Sequence, residues 1–228
     1  MSIQLFDFHG GICPPEHKAD SNAEPIRAAP IPQQLVIPLS QRQGSAARAI
    51  VRLGQAVRTG ETIAEPVDEL GVAVHASSSG VITAIDHRVT LTGEVAECII
   101  IETDGIDRWH AMTPHPTWRE YSPIQLIDLI QSAGIVGMGG AGFPTAYKLS
   151  ASHIDTLIIN GAECEPYITA DDLTMRERAE RVLLGAEILQ QITAARRVLI
   201  AIEDNKAEAI EQISNALVAR GERYQLAT

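Results

Sequence analysis

The sequence predicts an α/β chain in two parts: a small β domain, then an α/β domain built on a parallel sheet. Three observations predict it. Between about Gln41 and Thr103, short apolar segments are separated by glycine turns. Beyond Asp155, strand-like and helix-like segments alternate. Between these regions, five glycines (Gly134, Gly137, Gly139, Gly140, Gly142) fall in nine residues, followed by Phe143-Pro144-Thr145 and then Lys148.

Bulk composition narrows the function classes. The 228 residues carry 18 basic and 29 acidic side chains, a net charge of −11 that argues against nucleic-acid binding. The three cysteines, Cys13, Cys98 and Cys164, are far apart and form no C-x-x-C, so no zinc site or cysteine-ligated cluster is readable. Unpaired cysteines fit a reducing compartment. No apolar run reaches the roughly 18 residues of a membrane span, and Met1 opens no secretory leader. Attachment to a membrane complex would need only a docking surface.

Residues 1–40 hold six of the twelve prolines, which predicts extended backbone. F-H-G-G-I-C-P-P-E-H-K and P-I-P-Q-Q-L-V-I-P-L read as strands and turns packed on something else. His9, Cys13 and His17 are read as turn and packing residues, because prolines separate them and no fourth ligand is evident.

Residues 41–104 form the predicted β domain. Val51, Leu53, Val57 and Ile63 are punctuated by Gly54 and Gly60, V-A-V-H-A-S-S-S-G-V-I-T-A-I-D alternates around Ser79-Gly80, and C-I-I-I-E-T closes the series. The pattern resembles the two halves of a lipoyl- or biotinyl-type barrel-sandwich. Those carriers present a lysine between their halves, whereas no lysine occurs between Lys18 and Lys148 here, so only the fold likeness is carried over. His75 and His87 are read as polar residues without a ligand role. Residues 105–121 are read as a linker, with Trp109 and Trp118 as packing anchors.

The α/β domain is expected over 122–228. Ser122 as N-cap and Pro123 at N1 open a helix, with Ile124, Ile127 and Ile130 on its apolar face, ending at Gly134. Gly137–Gly142 satisfies G-x-G-x-x-G, but the dinucleotide fingerprint needs a strand before the loop, and here a helix precedes it. A glycine loop feeding a helix is instead an anion site, to which Lys148 adds a point charge. Thr156–Asn160 and Arg197–Ile202 are predicted strands, Tyr224–Thr228 begins a third, and helices cover about Asp171–Gln191 and Lys206–Arg220. Asn160-Gly-Ala-Glu163-Cys164-Glu165-Pro166 then stands at a strand's carboxyl end, where ligands of such sheets collect.

Taken together, G-M-G-G-A-G-F-P-T-A-Y-K and N-G-A-E-C-E-P-Y-I-T-A-D-D resemble the flavin-binding loops of the C subunit of the Rnf (Rsx) ion-translocating electron-transport complex. A more distant relative is the flavin-binding subunit of respiratory NADH dehydrogenase. F-H-G-G-I-C-P-P-E-H-K, L-V-I-P-L and V-A-V-H-A-S-S-S-G-V extend the likeness over essentially the whole chain. The resemblance implies a lipoyl-like barrel-sandwich domain and then a Rossmann-like α/β flavin domain. It implies non-covalent FMN, with NADH as electron donor or acceptor and ferredoxin and other complex subunits as partners. The implied location is the cytoplasmic side of the inner membrane, held peripherally.

By position, Gly137, Gly139, Gly140, Gly142 and Lys148 would hold the flavin and its phosphate. Phe143 would lie near the nicotinamide, and Asn160, Glu163, Cys164 and Glu165 would line the flavin or dinucleotide pocket. Met138 and Ala162 stand where the respiratory relative has arginine and aspartate, favouring the Rnf branch. The family continues into cysteine-rich iron–sulfur segments that this chain lacks, so iron–sulfur ligation by these residues is not expected. The resemblance thus also allows a truncated form that serves only as an assembly or docking module.

Overall fold

The computed structural model describes residues 10, 14–41, 44–138, 142–150, 154–218, 220 and 224–228. Its contacts form two compact units, one of residues 29–151 and one of 1–28 with 152–228.

The 29–151 unit is organised by a long antiparallel hairpin. Its strands are β1 (Gln34–Pro38), β2 (Arg48–Ala49), β3 (Ala56–Val57), β4 (Thr62–Glu65), β5 (Val74–His75), β6 (Gly80–Val89) and β7 (Val95–Thr103). They form two sheets, ordered β1-β7-β6-β3 and β2-β4-β5. Alternation in C-I-I-I-E-T and G-V-I-T-A-I sends Ile99, Ile101 and Ile82 inward, where they join Ile37, Val57 and Ile63 in one core. Each such side chain contributes about 1.5–3 kcal/mol when fully buried. The proline-rich stretch supplies β1 at the sheet edge, paired among the described strands only with β7. Pro38 is tolerated there because an edge strand need not donate on both sides.

Residues beyond β7 are fastened to this unit. Asp107 Oδ1 accepts from Thr59 Oγ1 (2.6 Å) and Ser78 Oγ (3.1 Å), joining the two halves of the β region. Trp109 lies over Gly60, where a β-carbon would stand 3.6 Å from the ring, although the indole remains 60% exposed. Trp118 is half-buried with the Arg119 guanidinium 4.4 Å from its ring centre.

Helix α1 (Pro123–Ser132) starts as expected, on a capping box between Ser122 and Gln125. Its buried face differs from the expected one: Leu126 and Ile130 are buried, whereas Ile124 is 71% exposed. The helical repeat of 3.6 residues explains the difference. Positions four apart lie almost in line, but 124, 127 and 130 drift steadily around the cylinder.

The other unit carries β8 (Thr156–Asn160), α3 (Ala170–Thr193), β9 (Arg197–Ala201), α4 (Ala207–Leu217) and β10 (Tyr224–Ala227). The three strands are parallel in the order β10-β9-β8, as the alternation of strand and helix implies. Val198, Ile200 and Leu226 from the sheet pack with Leu183, Ile213 and Leu217 from the helices. Helix α3 breaks at Arg178 (φ −135°, ψ 30°), although no proline or glycine is present there. No described helix is long and apolar enough to cross a membrane.

Candidate functional site

The glycine loop is closed at its base by backbone pairing. Val136 bridges Pro144, the Gly137 N–H donates to Phe143 O (2.8 Å), and the Thr145 N–H donates to Ile135 O (3.2 Å). At the entrance, Gly134 has φ +71°, and a β-carbon there would stand 2.6 Å from Ala73 O. Only glycine satisfies both the turn and this approach to the Ala73 carbonyl, just ahead of β5. Gly142 closes the loop at φ +59°; Gly139 and Gly140 lie outside the described residues.

The helix that follows, α2 (Thr145–Leu149), has only five residues and no side-chain cap. Its first amide is already engaged with Ile135, and Pro144 has no N–H to offer. The expected helix-dipole contribution is correspondingly small, and the cationic side chain becomes the principal anion-attracting group. Lys148 is exposed, with no acidic partner among the described residues. Phe143 is half-buried and meets Tyr147 edge-on at 5.9 Å.

The loop after β8 is built differently. Asn160 Oδ1 accepts from the Ala162 N–H (3.1 Å), an Asx turn that starts the loop. Gly161 leaves room for Met175 Sδ, which would lie 2.7 Å from a β-carbon. Glu163 is only 3% exposed, and its two carboxylate oxygens accept from the Asp171 (2.7 Å) and Asp172 (3.2 Å) N–H groups. It therefore caps α3, supplying negative charge where the helix leaves amides unpaired. That proximity, after burial, raises the Asp171 carboxyl above its usual range. Cys164 and Glu165 are exposed.

Lys18 has no counterpart in the sequence-based site. It is 8% exposed, and its Nζ donates to the carbonyls of Glu163 (2.5 Å), Glu165 (2.8 Å) and Ile168 (2.8 Å). Around it, Glu16 O accepts from the Tyr167 N–H (3.0 Å), and Glu16 Oε2 accepts from Asn205 Nδ2 (2.9 Å). His17 stacks on Tyr167 at 4.8 Å, while His9 and Cys13 lie outside the described residues. A sequence signal existed: Lys18 ends the P-P-E-H-K stretch and is followed by no lysine until Lys148. Its target is invisible to local pattern, being 145 to 150 residues away.

Comparison with known proteins accounts for both regions. A family model of the RnfC barrel sandwich hybrid domain matches residues 6–106, and one of the Nuo51 FMN-binding domain matches residues 130–227. The C subunit of the ion-translocating oxidoreductase complex of Pseudomonas aeruginosa is 49% identical over 224 residues, which are 96% of this chain and 29% of that protein. The Yersinia pestis protein of the same name is 47% identical over 218 residues, 94% of this chain and 35% of that protein. A crystal structure of NAD+-reducing [NiFe]-hydrogenase, air-oxidized, is 26% identical over 51% of this chain and 22% of its own, at TM-score 0.43, too slight a likeness to carry weight. The chain thus spans about a third of the length of the curated relatives it matches. Over that span, a barrel-sandwich region followed by an α/β region, it belongs to the RnfC family, the C subunits of ion-translocating oxidoreductase complexes.

Proposed function

We propose that this chain forms the flavin-bearing part of a subunit in a membrane-associated electron-transport complex. The identity of 47–49% with RnfC-family proteins over more than nine-tenths of the chain carries this reading. The 122–228 domain holds FMN non-covalently, and the 41–104 β domain, with the 105–121 linker, docks it to other subunits, while the extended 1–40 segment binds through Lys18 to the loop after β8. The complex couples electron exchange with NADH or ferredoxin to ion translocation, and this chain sits peripherally on the cytoplasmic side of the inner membrane.

The residues present fit such a cofactor. Gly137 and Gly142, at the described ends of the glycine loop, carry no side chain to block a ligand, and the exposed Lys148 offers a cation for a phosphate. Gly137, Gly139, Gly140, Gly142 and Lys148 hold the flavin and its phosphate, and Phe143 borders the nicotinamide. Asn160, Cys164 and Glu165 present polar groups to the flavin or dinucleotide; Glu163 acts there through its backbone, its carboxylate being engaged on α3. When bound, the flavin supplies the electron and hydride chemistry, while the chain binds, orients and excludes water.

The test is a titration of the full chain with FMN followed by flavin fluorescence, then addition of NADH under anaerobic conditions. Bound flavin that bleaches with NADH is expected. Lys148→Gln should weaken FMN binding by about tenfold, the scale of one charge-assisted hydrogen bond. A chain that stays colourless with excess FMN yet binds partner subunits would make this a docking module instead.

A further inference from the structure

We propose that Lys18 is a positioning residue: its ammonium sets the shape of the loop after β8, so that the N-terminal segment is a working part of the α/β unit. The inference rests on the reading that this loop borders the flavin. An ammonium has three N–H donors, and here three carbonyls, of Glu163, Glu165 and Ile168, converge on it at 2.5–2.8 Å. Converging carbonyl dipoles repel one another unless a cation stands at their focus. At 8% exposure, Lys18 fills that role in place of water.

Glu163 is thereby gripped from two sides. Its carbonyl is bound to Lys18 and its carboxylate to the amides of Asp171 and Asp172. The Glu165 carbonyl is bound to the same amine, so the intervening Cys164 is held between two fixed points. This explains how Cys164 and Glu165 stay exposed on a backbone of defined course. Contacts of Glu16 with Tyr167 and Asn205, and of Asn22 with Asp172 (3.3 Å), keep the lysine in register.

The experiment uses the full chain as wild type, Lys18→Met and Lys18→Arg, with FMN titration and amide hydrogen exchange measured on each. In Lys18→Met, the amides of 163–165, 167 and 168 should exchange about tenfold faster or more, with those of β9 unchanged, and the FMN Kd should rise about tenfold. Lys18→Arg keeps the charge but has a planar fork, so it should recover both readings only in part. Unchanged loop exchange in Lys18→Met overturns the inference. A loosened loop with undiminished FMN affinity also overturns it, reducing Lys18 to a purely structural contact while the flavin function stands. Failure of the wild type to take up FMN defeats the proposed function instead, and the exchange rates alone then decide whether Lys18 sets the loop. If Lys18→Met does not fold, Lys18→Gln, also uncharged, provides the same two readings.

Discussion

Replacing Glu163 by glutamine separates its two assignments, helix cap and pocket residue. In the folded chain its carboxylate accepts from two amides at the start of α3, and it is 3% exposed. Glutamine keeps one acceptor oxygen but turns an NH2 donor toward the second amide. The lost charge-assisted bond costs about 1.5–3 kcal/mol. Part is returned because the Asp171 carboxyl, raised by burial and then by Glu163, no longer faces that negative charge. The net loss is about 1–2 kcal/mol, which for a unit of about a hundred residues lowers its melting temperature by about 4–16 °C. Scanning calorimetry, which distinguishes the transitions of the two units, is the suitable assay. Asp171→Asn probes the same charges through pH. A raised folded-state pKa means stability falls as pH climbs above 3.8, so Asp171→Asn should remove that decline. If Glu163→Gln melts with the wild type and only FMN affinity changes, the capping argument is refuted and the pocket reading is favoured.

Three further outcomes are expected. Gly134→Ala should destabilise the 29–151 unit by more than about 1 kcal/mol, since it combines positive φ with a β-carbon 2.6 Å from Ala73 O; an unchanged urea midpoint would contradict this. Asp104 is held at about 2, chiefly by its hydrogen bond from Arg108 and then by the Ile106 N–H and Ser79. Its depressed pKa supports the fold above 3.8, and that support is lost as pH falls toward about 2; Asp104→Asn should flatten acid unfolding over this window. Arg220 bonds to Glu180 (2.8 Å) and Glu187 (2.9 Å) on α3, so Arg220→Ala should lower stability by about 1–3 kcal/mol, measured by thermal unfolding.

Much of the architecture was readable because its signals are local. Thr156–Asn160 and Arg197–Ile202 are β-branched runs between turn formers, and in the fold the second ends one residue earlier. The start of α1 was readable because a capping box and an N1 proline are contiguous in sequence. Its buried face was missed because 124, 127 and 130 drift around the helix, whereas Leu126 and Ile130, four apart, stay almost in line. A helix after the glycine loop was readable from the loop and Pro144, but not that it would stop after five residues. At the candidate site, residue types were readable while roles were not. A glutamate in N-G-A-E-C-E-P looks the same whether it faces a ligand or caps a helix that starts seven residues on.

The grouping of 1–28 with 152–228 has a consequence for synthesis of the protein. Lys18 leaves the ribosome 145 residues before the first carbonyl it will bind. At roughly 5–20 residues per second, the wait is about 7–30 s. Throughout it, the N-terminal segment has none of its described partners beyond residue 151, and the 29–151 unit is made in full before those partners appear. Joining the two pieces must then overcome a loop-closure entropy of about 4 kcal/mol for a chain of that length. Of these two units, the α/β one is thus the later to be finished. A block on the first two dozen residues would therefore impair that later-made unit rather than the β unit they precede in sequence.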